Sequence, residues 1–320
     1  MRGSCSTASS VSGSPGLPVQ IALKVDVDTL RGTLEGVPAL LRLFDRYQVR
    51  ATVLFSLGPD HTGRALRRVF RRGFLSKVRR TSVASHYGLR TLMYGTLLPG
   101  PSIGRRAKGV MRSVAEAGHE VGIHCYDHVK WQDFVARRDE DWTRREMERA
   151  QEAFARVFGR AARVHGAAGW QVNAHALTLE ERMGFDYASD TRGTSPFLPL
   201  VNGAPSRCPQ IPTTLPTLDE LIGRERVTED TVHQELSAAS LGGPPQGQVY
   251  TLHAELEGMK LTPVMERLLV TWRGARARIC ALEDAYRALD PATLPCHGLE
   301  WREVPGRSGL LACQGPCEGI

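Results

Sequence analysis

The 320-residue chain has no run of about eighteen uncharged apolar residues, the length a helix needs to span a bilayer. It also lacks a Walker loop, a dinucleotide-binding fingerprint and a serine nucleophile elbow, which disfavours nucleotide-driven chemistry. Cysteine is sparse and odd in number, seven scattered residues, so no obligatory disulfide framework is expected and a reducing compartment is. The first eighteen residues are rich in Ser and Gly, include two Pro and hold no apolar stretch long enough for a signal peptide. Their composition predicts a disordered tail over 1–18, and residues 291–320 are expected to form a second tail.

Acidic residues are absent between Asp60 and Glu116, where thirteen Lys or Arg occur. Removing those thirteen from the total of 41 leaves 28 basic against 34 acidic residues, so an acidic body carries one strongly basic segment. That segment is amphipathic. At the helical spacing Leu66, Val69, Phe70 and Phe74 share one side, opposite Arg64, Arg67, Arg68, Arg71 and Arg72. Such a stripe suits a helix lying in a membrane interface with its guanidinium groups on anionic headgroups. An ordinary surface helix and a phosphate-binding helix carry the same pattern. The lack of base-stacking aromatics and of a reader motif speaks against nucleic acid.

What the chain does contain is a split constellation. Asp26-Val27-Asp28 ends one apolar run, and His124-Cys125-Tyr126-Asp127-His128 follows another. Together they supply three metal ligands and one spare base, the equipment of metal-assisted hydrolysis. Each half is weak alone, since an Asp at a strand end also caps helices and a chain with 10 His will contain some pair at this spacing. Both groups nevertheless follow strand-like runs, Ile21 to Val25 and Glu120 to Ile123, and carboxyl ends of strands are where α/β folds build sites.

The hydrophobic pattern predicts strands at 20–27, 51–57, 120–124, 162–166, 185–189 and 248–253, and a possible one at 218–222. Helices are predicted near 34–47, 104–117, 140–158, 173–183, 229–240, 262–273 and 281–289. About seven alternations favour an α/β fold of the distorted (β/α) barrel type over an open sheet. The catalytic domain is expected over 19–290, with the basic amphipathic insertion at about 60–105.

The order and spacing of Asp26-Val27-Asp28, His124 to His128 and Leu252-His253 resemble the polysaccharide deacetylase, or NodB-homology, superfamily over roughly residues 20–290. Longer blocks are similar to the branch that removes formate from 4-deoxy-4-formamido-L-arabinose on undecaprenyl phosphate. They include Val25 to Thr29, Gly122 to His128, Ala167 to Gln171, Tyr187 to Gly193, Gln210 to Glu220 and His253 to Gly258.

This resemblance implies that Asp28, His124 and His128 hold one divalent ion, with Zn, Mn and Co all admissible. It implies Asp26 as general base toward the attacking water, and His253 as general acid toward the departing amine with Asp190 as its carboxylate partner. A backbone N–H near Gly169 or Trp170 would meet the oxyanion, and Trp170 and Arg192 would contact substrate. The superfamily's R-x-P motif, whose arginine orients the base, is missing around His165 to Trp170, which makes Arg192 the expected replacement. Arg67, Phe70, Arg71 and Phe74 are expected at an anionic membrane surface. The implied partner is a polyprenyl-phosphate-linked amino sugar, with no nucleic acid, at the cytoplasmic face of a bacterial inner membrane. The activity would serve lipid A modification. A deacetylase of another N-acylated sugar and a non-catalytic metal- and membrane-binding module are the alternatives.

Overall fold

Strand β1, Gln20–Val27, is buried along nearly its whole length, as a central strand covered on both faces is. The computed structural model describes residues 18–65, 89–224, 226–245 and 247–317. Residues 1–17 and the expected membrane contacts Arg67, Phe70, Arg71 and Phe74 lie outside them. One edge of β1 pairs with β2, Thr52–Ser56, through residues 24–27, and with β9, Arg278–Ala281, through residues 20–23. The other edge takes β8, Gln248–His253. Beyond β2 the parallel sheet continues through β3, Glu120–Cys125, β4, Val164–His165, and β5, Tyr187–Ala188.

The gap between β5 and β8 is bridged by an irregular segment. Ile211 N–H donates to Ala188 O, Thr213 N–H to Thr191 O, and Leu215 N–H to Val249 O. The result is a curled parallel half-barrel of seven strands, as expected from the alternation of elements.

Helix α1, Val37–Tyr47, follows a π-helical turn at Gly32–Gly36. Its start lies so close to the residues after β8 that a Cβ on Gly36 would sit 2.1 Å from Ala254 O. The short α2, Leu89–Met93, lies within the basic insertion. The helix expected over 104–117 is two pieces, α3, Ile103–Arg106, and α4, Lys108–Glu116, broken where Ala107 leaves helical angles. Helix α5 spans His128–Phe134.

Helix α6, Glu140–Phe158, matches its predicted bounds. The Asp139 side chain accepts Trp142 N–H at its start, Gly159 adopts the left-handed C-cap, and Met147, Ala150, Phe154 and Val157 face the core. Helix α7 is Ala174–Arg182.

Several expectations are corrected. Leu218–Ile222, read as a possible strand, starts as helix α8, Leu218–Leu221. Thr217 and Glu220 form a capping box there, and a short apolar run does not by itself distinguish strand from helix. The proline-rich stretch before it contains strands β6, Leu198–Val201, and β7, Ala204–Pro205. Helices α9, Val232–Leu241, α10, Thr262–Gly274, and α11, Leu282–Arg287, follow near their predicted places. Residues 291–320 are no tail where described, because β10, Cys296–Glu303, and β11, Leu310–Cys317, form an antiparallel hairpin that extends β6.

Candidate active site

The carboxyl ends of β1, β3 and β8 converge. Asp26 stands opposite His253 in the parallel register of β1 and β8. His124 is the penultimate residue of β3, and His128 opens α5. The chain therefore turns between the two histidines, with Asp127 as N-cap accepting Lys130 N–H at 3.1 Å and holding His61 Nδ1 at 2.6 Å. A strand end and a helix start, not one helix face, bring the imidazoles together.

Asp28 Oδ1 lies 3.3 Å from His124 Nε2 and 3.3 Å from His128 Nε2. It is buried and has no hydrogen-bond partner among the described residues. His124 Nδ1 is 2.6 Å from Gly166 O, so its N–H donates there and its Nε2 lone pair is left facing Asp28. Burial alone would raise the Asp28 carboxyl, but His128 and His124 outweigh it and hold that group well below the usual carboxylate range. One orphaned anionic oxygen with two inward imidazole nitrogens fits a divalent cation.

The ligand loop is fixed from behind by Glu255. Its Oε1 accepts Asp28 N–H at 3.0 Å, Thr29 N–H at 2.9 Å and Thr29 O–H at 2.8 Å. Burial and the nearby Asp28 charge push the Glu255 carboxyl up.

Asp26 is buried, with Oδ2 3.5 Å from Lys24 Nζ and Oδ1 3.8 Å from His124 Nδ1. His253 donates its backbone N–H to Glu257 Oε2 at 2.9 Å and stands edge-on to the Trp170 ring, centroids 6.4 Å apart. Burial pushes its imidazole below the usual range, and Asp219 is the strongest charge opposing that shift.

Asp190 belongs elsewhere. It accepts Ala167 N–H and Gln210 Nε2–H at 2.7 Å each and lies 3.1 Å from His165 Nδ1. His165 Nδ1 is also 2.7 Å from Glu180 Oε1. The expected pairing of Asp190 with His253 is thus replaced by a buried His165–Asp190–Glu180 group under the loop that receives the His124 proton.

Arg192 does not reach for Asp26 either. It donates to Glu220 Oε1 at 2.6 Å and to Leu215 O at 3.1 Å, and its guanidinium lies 5.2 Å from the Trp170 ring centroid. Trp170 is 2% exposed, too enclosed to form an open substrate wall. Its backbone is left-handed at φ 52°, after Gly169 at φ 63°, a conformation bulky residues adopt only when their surroundings enforce it. Its own N–H donates to Ala167 O at 3.2 Å, while Nε1–H donates to Thr213 Oγ1 at 3.1 Å. Arg307 also lies against the ring, 4.6 Å from the centroid.

Sequence reasoning missed Lys24, Glu255, Asp219 and Arg307. Lys24 had a signal, a charge interrupting an apolar strand two residues before Asp26, whereas Arg307 lay in what read as a tail.

This fold, with its carboxylates and imidazoles gathered at one mouth of a curled sheet, defines an amide hydrolase of the NodB type. The pattern described as polysaccharide deacetylase matches residues 20–188, and the chain belongs to that family. It is 38% identical over 297 residues to a probable 4-deoxy-4-formamido-L-arabinose-phosphoundecaprenol deformylase of Shewanella sediminis, covering 92% of this chain and 94% of that one. A protein of Wigglesworthia glossinidia brevipalpis with the same description is 30% identical, over 88% of this chain and 98% of its own. Among solved structures, a putative polysaccharide deacetylase from Mycobacterium smegmatis superposes with a TM-score of 0.62 at 20% identity, covering 93% of this chain and 99% of that one.

Proposed function

We propose that this protein is a metal-dependent deformylase that removes formate from 4-deoxy-4-formamido-L-arabinose carried on undecaprenyl phosphate. It would act at the cytoplasmic face of the inner membrane, in the modification of lipid A. The convergence of Asp28 Oδ1 with His124 and His128 Nε2 is the observation that carries metal-assisted hydrolysis, and the near full-length relatives support the substrate.

A divalent ion bound by Asp28, His124 and His128 supplies Lewis acidity and lowers the pKa of water. Asp26, at the end of β1, accepts the proton of the water whose oxygen bonds to the formyl carbon. As the formamide C–N bond breaks, His253 delivers a proton to the departing amine, giving formate and a free amino sugar. Glu255 and the Gly166 carbonyl hold Asp28 and His124 in place meanwhile.

Formate release from the formamido-arabinose polyprenyl phosphate tests this, with the metal-reconstituted protein beside its His124→Ala variant. Release by the first alone is expected, with metal bound stoichiometrically only by the intact protein. Metal binding without formate release would remove the substrate assignment and leave the metal site standing.

A further inference from the structure

A fully buried lysine sits below the expected base. Alternation along β1 turns Ala22, Lys24 and Asp26 to one face, and these residues are 1%, 0% and 3% exposed. An ammonium without water costs several kcal/mol unless it is paired and hydrogen-bonded. Lys24 Nζ donates to Ser189 O at 2.8 Å and lies 3.5 Å from Asp26 Oδ2. Its stem is boxed in. A Cβ on Gly166 would stand 3.2 Å from Lys24 Cε, and the ammonium lies 5.7 Å from the Trp170 ring centroid. Arg192 is committed to Glu220 and cannot serve in its place.

We propose that Lys24 is the positioning residue for Asp26. It anchors Oδ2 from inside the barrel, so that Oδ1, which has no hydrogen-bond partner among the described residues, is the oxygen left to take a proton beside the metal ligands. A lysine rising from the same strand does here what an arginine from a separate loop would do. The inference rests on Asp26 being the base, and the test separates the two.

Kinetics on the formamido-sugar substrate are measured for Lys24→Met, Asp26→Asn and the double variant, with metal content and circular dichroism checked for each. Misplacing a reacting group by about 1 Å costs about a hundred-fold. Lys24→Met should therefore lower kcat by about ten- to a hundred-fold with KM and metal stoichiometry unchanged, and should add nothing in the Asp26→Asn background. An Asp26→Asn variant with full kcat overturns the base reading and this inference with it. If Asp26→Asn is inactive and Lys24→Met is not, the positioning role alone falls. It falls too if the two losses multiply, because Lys24 then acts elsewhere. Should Lys24→Met fail to fold, Lys24→Gln keeps a donor for Ser189 O without the charge, and unchanged kcat in that variant is equally fatal.

Discussion

At the scale of single residues, two clusters of similar make-up are used in opposite ways. Asp28, His124 and His128 meet with an oxygen left over, whereas in His165, Glu180 and Asp190 the buried side-chain oxygens and nitrogens all find partners inside the protein. The closed cluster is an internal ion pair. Burial works against the His165 charge, yet Asp190 and Glu180 push its imidazole up to about 10. Burial likewise opposes ionised Asp190, yet His165 brings it down to about 2. A raised histidine stabilises the fold fully below its unfolded pKa of about 6.5 and loses that contribution as pH climbs through its folded value; the depressed Asp190 loses its share only as pH falls through about 2. His165→Gln should therefore cost about 3–5 kcal/mol near pH 6, as breaking a buried pair does. The deficit should shrink toward about pH 10. Urea unfolding of both proteins at the two ends of this range measures it, and a gap that widens with pH would contradict the ion pair.

The terminal hairpin shows what an element adds beyond the family's catalytic strands. Leu311 and Cys313 of β11 pack with Trp170, and Ala312 O accepts Arg192 N–H at 2.9 Å. At the hairpin turn Arg307 reaches Asp219 Oδ2 at 2.9 Å, Glu220 Oε1 at 2.8 Å and Thr217 Oγ1 at 2.8 Å, clamping the start of α8. Arg307→Met removes a guanidinium from two buried carboxylates, a loss of about 3–5 kcal/mol that a denaturant midpoint will report. An unchanged midpoint would show the clamp to be idle. None of this was legible in the sequence. Helix α6 and strands β1, β2, β3 and β8 announce themselves through long apolar periodicity, and so did the Asp26–Asp28 and His124–His128 groups at their ends. The hairpin alternates weakly, as in Cys296 to Glu303, and its pairing with β6 joins segments about a hundred residues apart, which local pattern cannot encode. Asp190 was misassigned for the same reason, since its partner His165 is chosen by the fold and not by spacing.

For the whole molecule, charge is the organising fact. The chain's net of +7 arises entirely from one segment of thirteen cations, because the remainder is acidic, 28 basic against 34 acidic residues. No helix among the described residues is long and apolar enough to cross a membrane; the proposed lipid-linked substrate is what would bring the protein to a bilayer surface. The described flank of the segment fits such docking. Arg90, Arg105 and Arg106 surround a cavity of about 590 Å³ with Tyr94, Leu98 and Pro99, and Leu97 is 81% exposed. Each cation near an anionic bilayer contributes about 1 kcal/mol. Reversing two, Arg67→Glu with Arg71→Glu, should therefore remove about 4 kcal/mol and weaken sedimentation with anionic vesicles by a factor on the order of 10² to 10³. Phe70→Ser with Phe74→Ser should weaken it independently of salt, since apolar insertion is not screened. Turnover of a water-soluble formamido sugar phosphate should survive both pairs of substitutions. That outcome separates lost docking from a damaged site, and vesicle binding that persists in both variants would remove the membrane role of this segment.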